Sequence, residues 1–391
     1  MKVAIIGSSS KTAYALYPKI EEQAKNIESF WFSSSDKPHW FLGENWIQID
    51  YKNLDDIVNK INEIKPDKVV NLAAYTDVDG CEDNKFESHF INYELPKILA
   101  EHSKDSFHFI HISTDYVFDG LKGLYEITDE RAENSIGWYA LSKKDSENIV
   151  LDCGGTIIRT NVLYDNGEYK ANFLTWIKDN FHSKSEISIV HDQFNNPTLT
   201  SDLAESIMQV IQKSIKGIIH TGGVDWISRW ELAQTYALSL DTQNTEHNFK
   251  PIISSSLQQK SPRPSFGGLS IKESEKILGM KFSGIYDFIL EHTQIPKDST
   301  HYEILQRLIF ILRLIDNDLR KRVLIDIVRN EHKTISINIS NEKILAEIEI
   351  GKSSYSGMLY IYNNQNLNLI TGEVFDNNSI QKFMKSLSAF A

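Results

Sequence analysis

Tyr139 and Lys143 lie four residues apart in the stretch Trp-Tyr-Ala-Leu-Ser-Lys. If this stretch is helical, the two side chains are neighbours on one face. A phenol is a poor proton donor or acceptor at neutral pH, and a nearby ammonium group favours its ionised form. The pair could therefore serve as an acid or base for a hydroxyl group or a ketone. A single match at this spacing is more often accidental, so its meaning depends on the sequence around it.

The N-terminal sequence predicts a phosphate-binding turn. An apolar strand ends at Gly7, three serines follow, and a helix is predicted from Thr12 to Lys25. The free N–H groups at the start of such a helix favour an anion. A dinucleotide fingerprint would carry three glycines, whereas this chain has Gly7 and then Ser10 and Ala13. The pattern favours cofactor binding at Gly7, Ser9 and Ser10, but an ordinary strand-to-helix turn also fits it.

The ends of the next predicted strands supply further cofactor candidates. Ser33 and Ser34 follow the second strand, and Asp50 ends the third. Small polar residues after the second strand accommodate the 2′-phosphate of NADPH, which favours NADPH and leaves NADH as the alternative. A serine-rich turn explains Ser33 and Ser34 equally well. Ala73 and Ala74 end the fourth strand, where small side chains would let a ligand pass close to the backbone.

Ser113 and Thr114 end a fifth strand, and a hydroxyl group there could hydrogen-bond a substrate carbonyl beside Tyr139. His111 in the same strand is better explained as a buried core residue than as a catalytic one. Strand and helix patterns alternate along this part of the chain, which predicts an α/β fold with a doubly wound parallel sheet. Ligands bind beyond the carboxyl ends of the strands in such sheets, where these candidate residues fall.

Composition excludes several other classes of function. The chain has 391 residues, of which 41% are apolar and 24% charged, as in an ordinary globular protein. A formal net charge of -12 argues against a nucleic-acid or anionic-membrane partner. The two cysteines, Cys81 and Cys153, form neither a disulfide framework nor a metal-binding pattern, so no metal is predicted. The N-terminus is typical of a first strand and not of a signal peptide, so a cytoplasmic location is expected.

With these residues assembled, the chain resembles the extended short-chain dehydrogenase/reductases, and within them the dTDP-4-dehydrorhamnose reductase family. The most specific stretch is Ser-Thr-Asp-Tyr-Val-Phe-Asp-Gly at 113–120. The other matching stretches follow in family order at 66–79, 139–143, 158–160, 172–173, 192–193, 197–198, 220–223, 228–233 and 263–264. The resemblance covers about residues 1–290 and implies a Rossmann-like fold.

The resemblance implies an oxidoreductase that reduces a nucleotide-linked 4-keto-6-deoxy sugar in deoxysugar and polysaccharide biosynthesis. Tyr139 would donate a proton to the C4 ketone, Lys143 would lower the pKa of Tyr139 and hold the nicotinamide ribose, and Thr114 would fix the carbonyl. In the related dehydratases a glutamate follows the aspartate of this motif. Here Asp115 is followed by Tyr116, which favours simple reduction.

The resemblance also extends the set of site residues. The implied cofactor contacts beyond those named above are Tyr75 and Asn92, together with Tyr139 and Lys143 themselves. The implied substrate contacts are Thr76, Val78, Ser113, Tyr116, Asn172 and Arg263. A guanidinium suits a diphosphate, but a surface arginine between two prolines explains Arg263 about equally well.

Three departures from the family pattern keep other functions open. Ser10 interrupts the glycine fingerprint, Val162 stands where the family usually has a tryptophan that packs on the sugar, and the segment from about Asp298 onward has no counterpart. One alternative is a non-catalytic, NADP-binding regulatory protein, similar in fold to a regulatory subunit of methionine adenosyltransferase. Another is a sugar-nucleotide epimerase, because the same Thr, Tyr and Lys serve that chemistry.

The expected domain organisation has three parts. Residues 1–163 and 191–225 form the dinucleotide-binding domain, and residues 164–190 and 226–295 form a substrate lobe. Residues 300–391 form an α+β accessory domain, in which helices at 302–314, 318–328 and 379–390 flank four strands between 334 and 375. This domain carries no catalytic motif, so it is expected to bind a protein partner or to form a homodimer.

Overall fold

A computed structural model describes residues 1–23, 26–104, 106–133, 137–183, 185–240, 248–330, 334–342, 344–351, 355–363, 366–374 and 377–390. The chain divides into two compact units. The first contains Met1–Asn172, Asn195–Val224 and Gln258–Ser283, and the second contains Phe173–Phe194, Asp225–Leu257 and Gly284–Ala391. Residues 258–283, predicted in the substrate lobe, thus group with the first unit. Residues 300–391 group with the rest of the lobe, so their independence as a domain stays a prediction.

A seven-stranded parallel sheet forms the centre of the first unit and confirms the predicted fold class. Its strands are β1 (Lys2–Ile6), β2 (Glu28–Ser33), β3 (Trp46–Gln48), β4 (Lys68–Asn71), β5 (His108–Thr114), β6 (Thr156–Thr160) and β7 (Gly217–His220). Their spatial order is β7-β6-β5-β4-β1-β2-β3. The order reverses between β1 and β4, and ligands bind at such a switch point. The sheet therefore brings the ends of β1, β4 and β5 to one edge.

Helices cover both faces of this sheet because alternate residues of each strand point to opposite sides. Val3 and Ile5 of β1 pack with the first helix and the helix at 200–213, whereas Ala4 and Ile6 pack against the helices on the other face. The α-helices of the unit are Lys11–Gln23, Leu54–Ile64, Val78–Asp83, Lys85–His89, Leu95–Ser103, Trp138–Asp152, Thr200–Lys213 and Lys272–Leu278. A π-helical turn spans Phe90–Glu94, a 3-10 turn spans Asp115–Val117, and Leu163–Tyr164 pairs with Thr198–Leu199.

The first helix begins one residue earlier than predicted, at Lys11, and its predicted end at Lys25 lies outside the described residues. We call the helix Trp138–Asp152 the Tyr139 helix. It begins after Gly137, and the Glu82 carboxylate accepts a hydrogen bond from the Trp138 N–H at 2.8 Å. A carboxylate at this end satisfies an N–H group that has no partner within the helix.

The second unit contains a five-stranded antiparallel sheet. Its strands, in spatial order, are β8 (Leu324–Arg329), β9 (Ile335–Ser340), β10 (Ile344–Ile350), β11 (Tyr355–Asn363) and β12 (Asn366–Val374). The helices of the unit are Phe173–Asn180, Arg229–Leu240, Ile285–His292, Thr300–Leu314, Asn317–Arg320 and Asn377–Phe390, and a 3-10 turn spans Ser254–Ser256. A further strand, Ile187–Val190, pairs in parallel with Phe249–Ile252. Two strands of two residues each are Ile227–Ser228 and Phe194–Asn195, and the boundary between the units falls within the second of these.

The prediction of a helix at residues 318–328 is wrong for the second half of this range. The helix ends at Arg320, and residues 324–329 form β8, which pairs with β9. The sequence Leu-Ile-Asp-Ile-Val at 324–328 is rich in β-branched residues, so pairing to β9 stabilises it as a strand. The predicted strand boundaries at Lys343 and Phe375 lie outside the described residues.

Charged and amide groups of the helix at 229–240 bind the C-terminal segment. The Gln234 side chain donates to the Ile325 carbonyl at 3.2 Å and accepts from the Ile327 N–H at 2.6 Å, so it satisfies the edge of β8. The buried Glu231 carboxylate accepts hydrogen bonds from Arg320 and from the Tyr286 hydroxyl group. No α-helix within the described ranges is long and apolar enough to cross a membrane.

Candidate functional site

A cavity of about 610 Å³ opens in the first unit beyond the carboxyl ends of β1, β4, β5 and β6. Twelve of the predicted site residues line it, and they come from segments far apart in the sequence. They are Gly7, Ser9, Ser10, Ala73, Ala74, Thr76, Val78, Ser113, Thr114, Tyr116, Tyr139 and Lys143. Cavities of this size are typical of sites for small molecules and cofactors.

Gly7 lets the backbone of the first turn pass against the end of β4. Its φ angle of 88° is one that residues with side chains rarely adopt. A Cβ atom at Gly7 would overlap the Ala73 nitrogen and lie 2.7 Å from the carbonyl carbon of Leu72. The floor of the cavity at this point is therefore bare backbone, as close binding of a phosphate group requires.

Ser10 does not fill the space that a fingerprint glycine would leave open at the turn. Its Oγ accepts a hydrogen bond from the Ala13 N–H at 3.1 Å, and its own N–H donates to the Gly7 carbonyl at 3.0 Å. This side chain therefore caps the first helix and is turned toward it. The departure from the glycine pattern is compatible with an open phosphate-binding turn.

Tyr139 and Lys143 both face the cavity from the Tyr139 helix. Tyr139 is half-buried, and its ring meets the Tyr116 ring edge to face with centroids 5.7 Å apart. Burial raises the pKa of the Tyr139 phenol above its ordinary value, while a hydrogen bond with Thr114 opposes this rise. The phenol therefore keeps its proton at neutral pH.

Lys143 is almost fully buried, with 1% of its surface exposed. Its Nζ lies 2.7 Å from the Ile112 carbonyl oxygen and 2.9 Å from Nε2 of His111, both on β5. Burial lowers the pKa of the ammonium group to about 7, and the more distant Glu147 carboxylate opposes this effect. The interpretation of His111 as a buried residue is correct, but His111 also contacts a predicted catalytic side chain.

Thr114 and Asp115 form the wall of the cavity next to Tyr139. The Thr114 hydroxyl accepts from the Tyr116 N–H at 3.3 Å, and the buried Asp115 carboxylate accepts from the Gly268 N–H at 2.9 Å. Burial raises the pKa of Asp115 to about 6. Asp115 was not among the predicted site residues, although it stands within the most specific motif.

Ser113 provides an unsatisfied polar group. Its hydroxyl is buried and has no hydrogen-bond partner within the described residues, and the residue lines the cavity. A buried hydroxyl without a partner is costly, so such groups usually indicate a bound water or ligand.

Two lysines near the turn at Gly7 line the cavity but were not among the site residues predicted from the sequence. Lys11 forms an ion pair with Asp165 at 3.1 Å, and the exposed Lys170 also lines the cavity. Partial desolvation of its ammonium group and the charge of the nearby Lys11 lower the pKa of Lys170. Tyr169 donates from its hydroxyl to the Ser9 carbonyl at 3.1 Å, which places this segment against the turn. The sequence signal was weak because a lysine in a loop normally indicates only exposure to solvent.

Seven predicted site residues do not line the cavity; they are Ser33, Ser34, Asp50, Tyr75, Asn92, Asn172 and Arg263. Ser33 is buried and accepts from the Ser35 N–H, whereas Ser34 and Asp50 are exposed.

Asn92 is buried, and its side chain exchanges two hydrogen bonds with the Tyr75 backbone, so it fixes the loop after β4. Asn172 donates to Asp165, and Arg263 pairs with Asp79 at 3.0 Å. Direct ligand contacts of these seven residues stay predictions.

Comparison with known proteins places the chain in a family. The family model described as RmlD substrate binding domain matches residues 1–286. The dTDP-4-dehydrorhamnose reductase of Mycobacterium tuberculosis (strain CDC 1551 / Oshkosh) is 32% identical over 216 residues, which cover 53% of this chain and 69% of that protein.

Two solved structures are similar over nearly their whole length. A dTDP-4-dehydrorhamnose reductase from Clostridium acetobutylicum has a TM-score of 0.63 at 26% identity, and one from Bacillus anthracis in complex with NADP has a TM-score of 0.63 at 25% identity. Each match covers 75% of this chain and 98% of the other. The chain therefore belongs to the RmlD substrate-binding-domain family, within the extended short-chain dehydrogenase/reductases of the dTDP-4-dehydrorhamnose reductase type, and is an NAD(P)-dependent oxidoreductase.

Proposed function

We propose that this protein is an NADPH-dependent reductase of a nucleotide-linked 4-keto-6-deoxy sugar. The observation that carries the proposal is that Thr114, Tyr139 and Lys143 line one cavity together with the Gly7 turn. A purely binding protein of the same fold would have no need for this acid–base group. The relatives named dTDP-4-dehydrorhamnose reductase support the same reaction.

The residues around the Gly7 turn fit a nicotinamide dinucleotide. Gly7 allows the first turn to pass close to the backbone of Leu72 and Ala73 at the cavity, and the N–H groups at the start of the first helix favour the charge of a diphosphate. Lys170 would add a cation there, and Ser33 and Ser34 would lie toward the adenosine end. NADPH, when bound, supplies the hydride for the C4 ketone, and NADH is the alternative. The Bacillus anthracis relative was solved with NADP.

The acid for the reaction would be Tyr139. Because burial keeps its phenol protonated, the hydroxyl can donate a proton to the carbonyl oxygen as that oxygen becomes an alcohol. Thr114 and the unsatisfied Ser113 hydroxyl would hold the carbonyl from the other side. Lys143 would hold a ribose hydroxyl, and its charged form would stabilise the phenolate left on Tyr139.

The sugar and its nucleotide would occupy the part of the cavity lined by Thr76, Val78 and Tyr116. Val162 also lines the cavity and leaves more room there than a tryptophan would. Arg263 and Asn172 would contact the substrate only after a rearrangement of their present partners. A homodimer or protein partner at the C-terminal segment and a cytoplasmic location stay predictions.

The direct test uses NADPH carrying deuterium at its transferable position and a dTDP-4-keto-6-deoxyhexose. The proposal expects NADPH oxidation and one deuterium atom at C4 of the product, measured by mass spectrometry. Exchange of sugar protons with solvent and no net reduction would indicate an epimerase. If neither NADPH nor NADH binds at millimolar concentration, the regulatory, partner-binding function is favoured instead.

A further inference from the structure

Residues 165–170 form a loop that lies against the start of the first helix, and we call it the 165–170 loop. Three side-chain contacts join this loop to the turn and the helix after β1. They are Tyr169 to the Ser9 carbonyl at 3.1 Å, Tyr14 to Glu168 at 3.0 Å, and Lys11 to Asp165 at 3.1 Å. These contacts hold the loop over the turn at which a dinucleotide would bind.

Aromatic rings anchor the middle of the loop. The Tyr169 ring stacks on the Tyr14 ring with centroids 5.2 Å apart. The Trp40 ring meets both of them edge to face, with centroid distances of 5.6 Å to Tyr169 and 5.5 Å to Tyr14. Stacked and edge-to-face contacts are the favourable arrangements of aromatic rings. Tyr169 is therefore held on the first helix, and the residue that follows it is preorganised.

Asp165 fixes the ends of the loop. Its carboxylate accepts hydrogen bonds from the Gly167 N–H at 2.8 Å, the Asn172 amide at 2.9 Å and the Thr200 hydroxyl at 3.0 Å. Lys11 is a fourth donor to the same carboxylate. Both oxygens of Asp165 are thus occupied, and the charge of Lys11 is balanced.

Lys170 carries the unbalanced charge of the loop. Its ammonium group lies over the Tyr169 ring, 5.3 Å from the centroid, and the residue lines the cavity together with Lys11. The nearby Glu168 carboxylate is bound to two other side chains, and Lys170 forms no ion pair within the described residues. The charge of Lys11 contributes to lowering the pKa of Lys170, so the two ammonium groups lie close enough to repel each other. An anion between them would relieve this repulsion.

We propose that the 165–170 loop is a preformed part of the dinucleotide site, in which Lys170 binds a phosphate group and Tyr169 positions Lys170. The turn after β1 has Ser10 and Ala13 where a fingerprint would have glycines, and the loop adds a phosphate contact from outside that turn. A lysine binds phosphate as a point charge, and an ordered side chain loses less freedom on binding. The 2′-phosphate of NADPH and the diphosphate of either dinucleotide share this chemistry. The inference rests on the proposed function, in which a dinucleotide occupies the turn.

Lys170→Met tests the phosphate contact with three probes, NADPH, NADH and dTDP, by isothermal titration calorimetry. We expect the dissociation constant of NADPH to rise about tenfold. An effect on NADPH alone would identify the 2′-phosphate as the bound group, and equal effects on NADPH and NADH would identify the diphosphate. Unchanged affinities for both dinucleotides would overturn the proposal, and so would a loss confined to dTDP.

Lys276→Met is the matched control for this experiment. Lys276 is an exposed lysine of the helix Lys272–Leu278 in the same unit, and it does not line the cavity. Its removal takes away the same charge and should leave all three dissociation constants unchanged. The salt dependence of NADPH binding should weaken in Lys170→Met but not in the control.

Tyr169→Leu tests the positioning role, because it removes the ring that supports the Lys170 ammonium group. NADPH binding should weaken several-fold in this variant. In the double variant with Lys170→Met, the dissociation constant should stay within about twofold of that of Lys170→Met alone, since the two side chains act as one unit. Losses that simply multiply would overturn the positioning role of Tyr169, because they would show an independent structural effect.

Failure of the proposed function has a different signature. Wild-type protein that binds NADPH but reduces no keto sugar would refute the proposed function alone, because the titrations require no sugar. Wild-type protein that binds neither NADPH nor NADH would overturn both the proposed function and the role of the 165–170 loop.

Discussion

The Glu147 carboxylate and the Arg159 guanidinium form a bidentate ion pair with N–O distances of 2.9 and 2.8 Å. Glu147 lies one helical turn after Lys143. Both side chains of the ion pair are buried, with exposed fractions of 0% and 1%. Removal of one partner from such a pair leaves a buried charge, which costs about 3–5 kcal/mol. Glu147 keeps its contact with the partly exposed Arg131, so we expect Arg159→Met to lower the free energy of unfolding by no more than this amount in urea denaturation.

Lys281→Met provides the control for this experiment. Lys281 pairs with Glu275 at 2.6 Å but is 85% exposed, so its removal should cost no more than about 1 kcal/mol. If the two variants lose the same free energy of unfolding, the buried ion pair stabilises the fold no more than an exposed pair does.

Gly7→Ala should abolish tight NADPH binding. The added Cβ atom meets the backbone of β4, and the positive φ angle strains the residue further. We expect a dissociation constant at least about tenfold larger, equivalent to ~1.4 kcal/mol, in a fluorescence titration. Gly217→Ala has a similar φ angle of 93° with open space around the new atom, so it should be strained without losing affinity. Equal affinities in the two variants would contradict this placement of the cofactor.

Lys143 should make the stability of the ligand-free protein depend on pH. Its pKa is about 7 in the folded protein, below the ordinary value of 10.5, so between these values the unfolded chain binds more protons. Stability relative to Lys143→Met should therefore rise from pH 7 to pH 9, by at most ~1.4 kcal/mol per pH unit. Urea denaturation of both proteins at several pH values measures the difference. A difference that stays flat or falls would mean that Lys143 is charged when buried.

Arg320 should be required for the stability of the second unit. It pairs with the fully buried Glu231, whose carboxylate also binds the Tyr286 hydroxyl. Arg320→Met should lower stability by about 3–5 kcal/mol and expose residues 225–240 to proteolysis. The exposed Arg322 side chain donates to the backbone carbonyl of Asp318, only four residues away, so Arg322→Met should change little. If the two variants are cleaved at similar rates, this prediction is wrong, and the C-terminal segment is separate from the substrate lobe.

The parallel sheet and the cavity residues could be predicted from the sequence because each depends on local patterns. Apolar runs that end in small or hydroxyl residues identify the strands and the edge where Gly7, Ala73 and Thr114 meet. A spacing of four residues places Tyr139 and Lys143 on one helical face, as the structure shows.

Other features depend on contacts between distant residues. Asn71 and His111 are 40 residues apart, and only the pairing of β4 with β5 reveals their contact. Asn92 exchanges hydrogen bonds with the Tyr75 backbone, 17 residues away in the sequence, and its contact with a ligand stays a prediction. The strand at 324–329 was mistaken for helix because short apolar runs fit both periods, and its partner strand decides between them.

The most direct test of the central claim is single-turnover reduction by Tyr139→Phe at saturating NADPH. The variant should bind NADPH with nearly unchanged affinity and reduce the sugar roughly 100-fold or more slowly, since the proton donor is lost. Tyr51→Phe removes another phenol that lines the cavity and should keep the wild-type rate. A Tyr139→Phe rate close to that of wild type would contradict the assignment of Tyr139 as the acid.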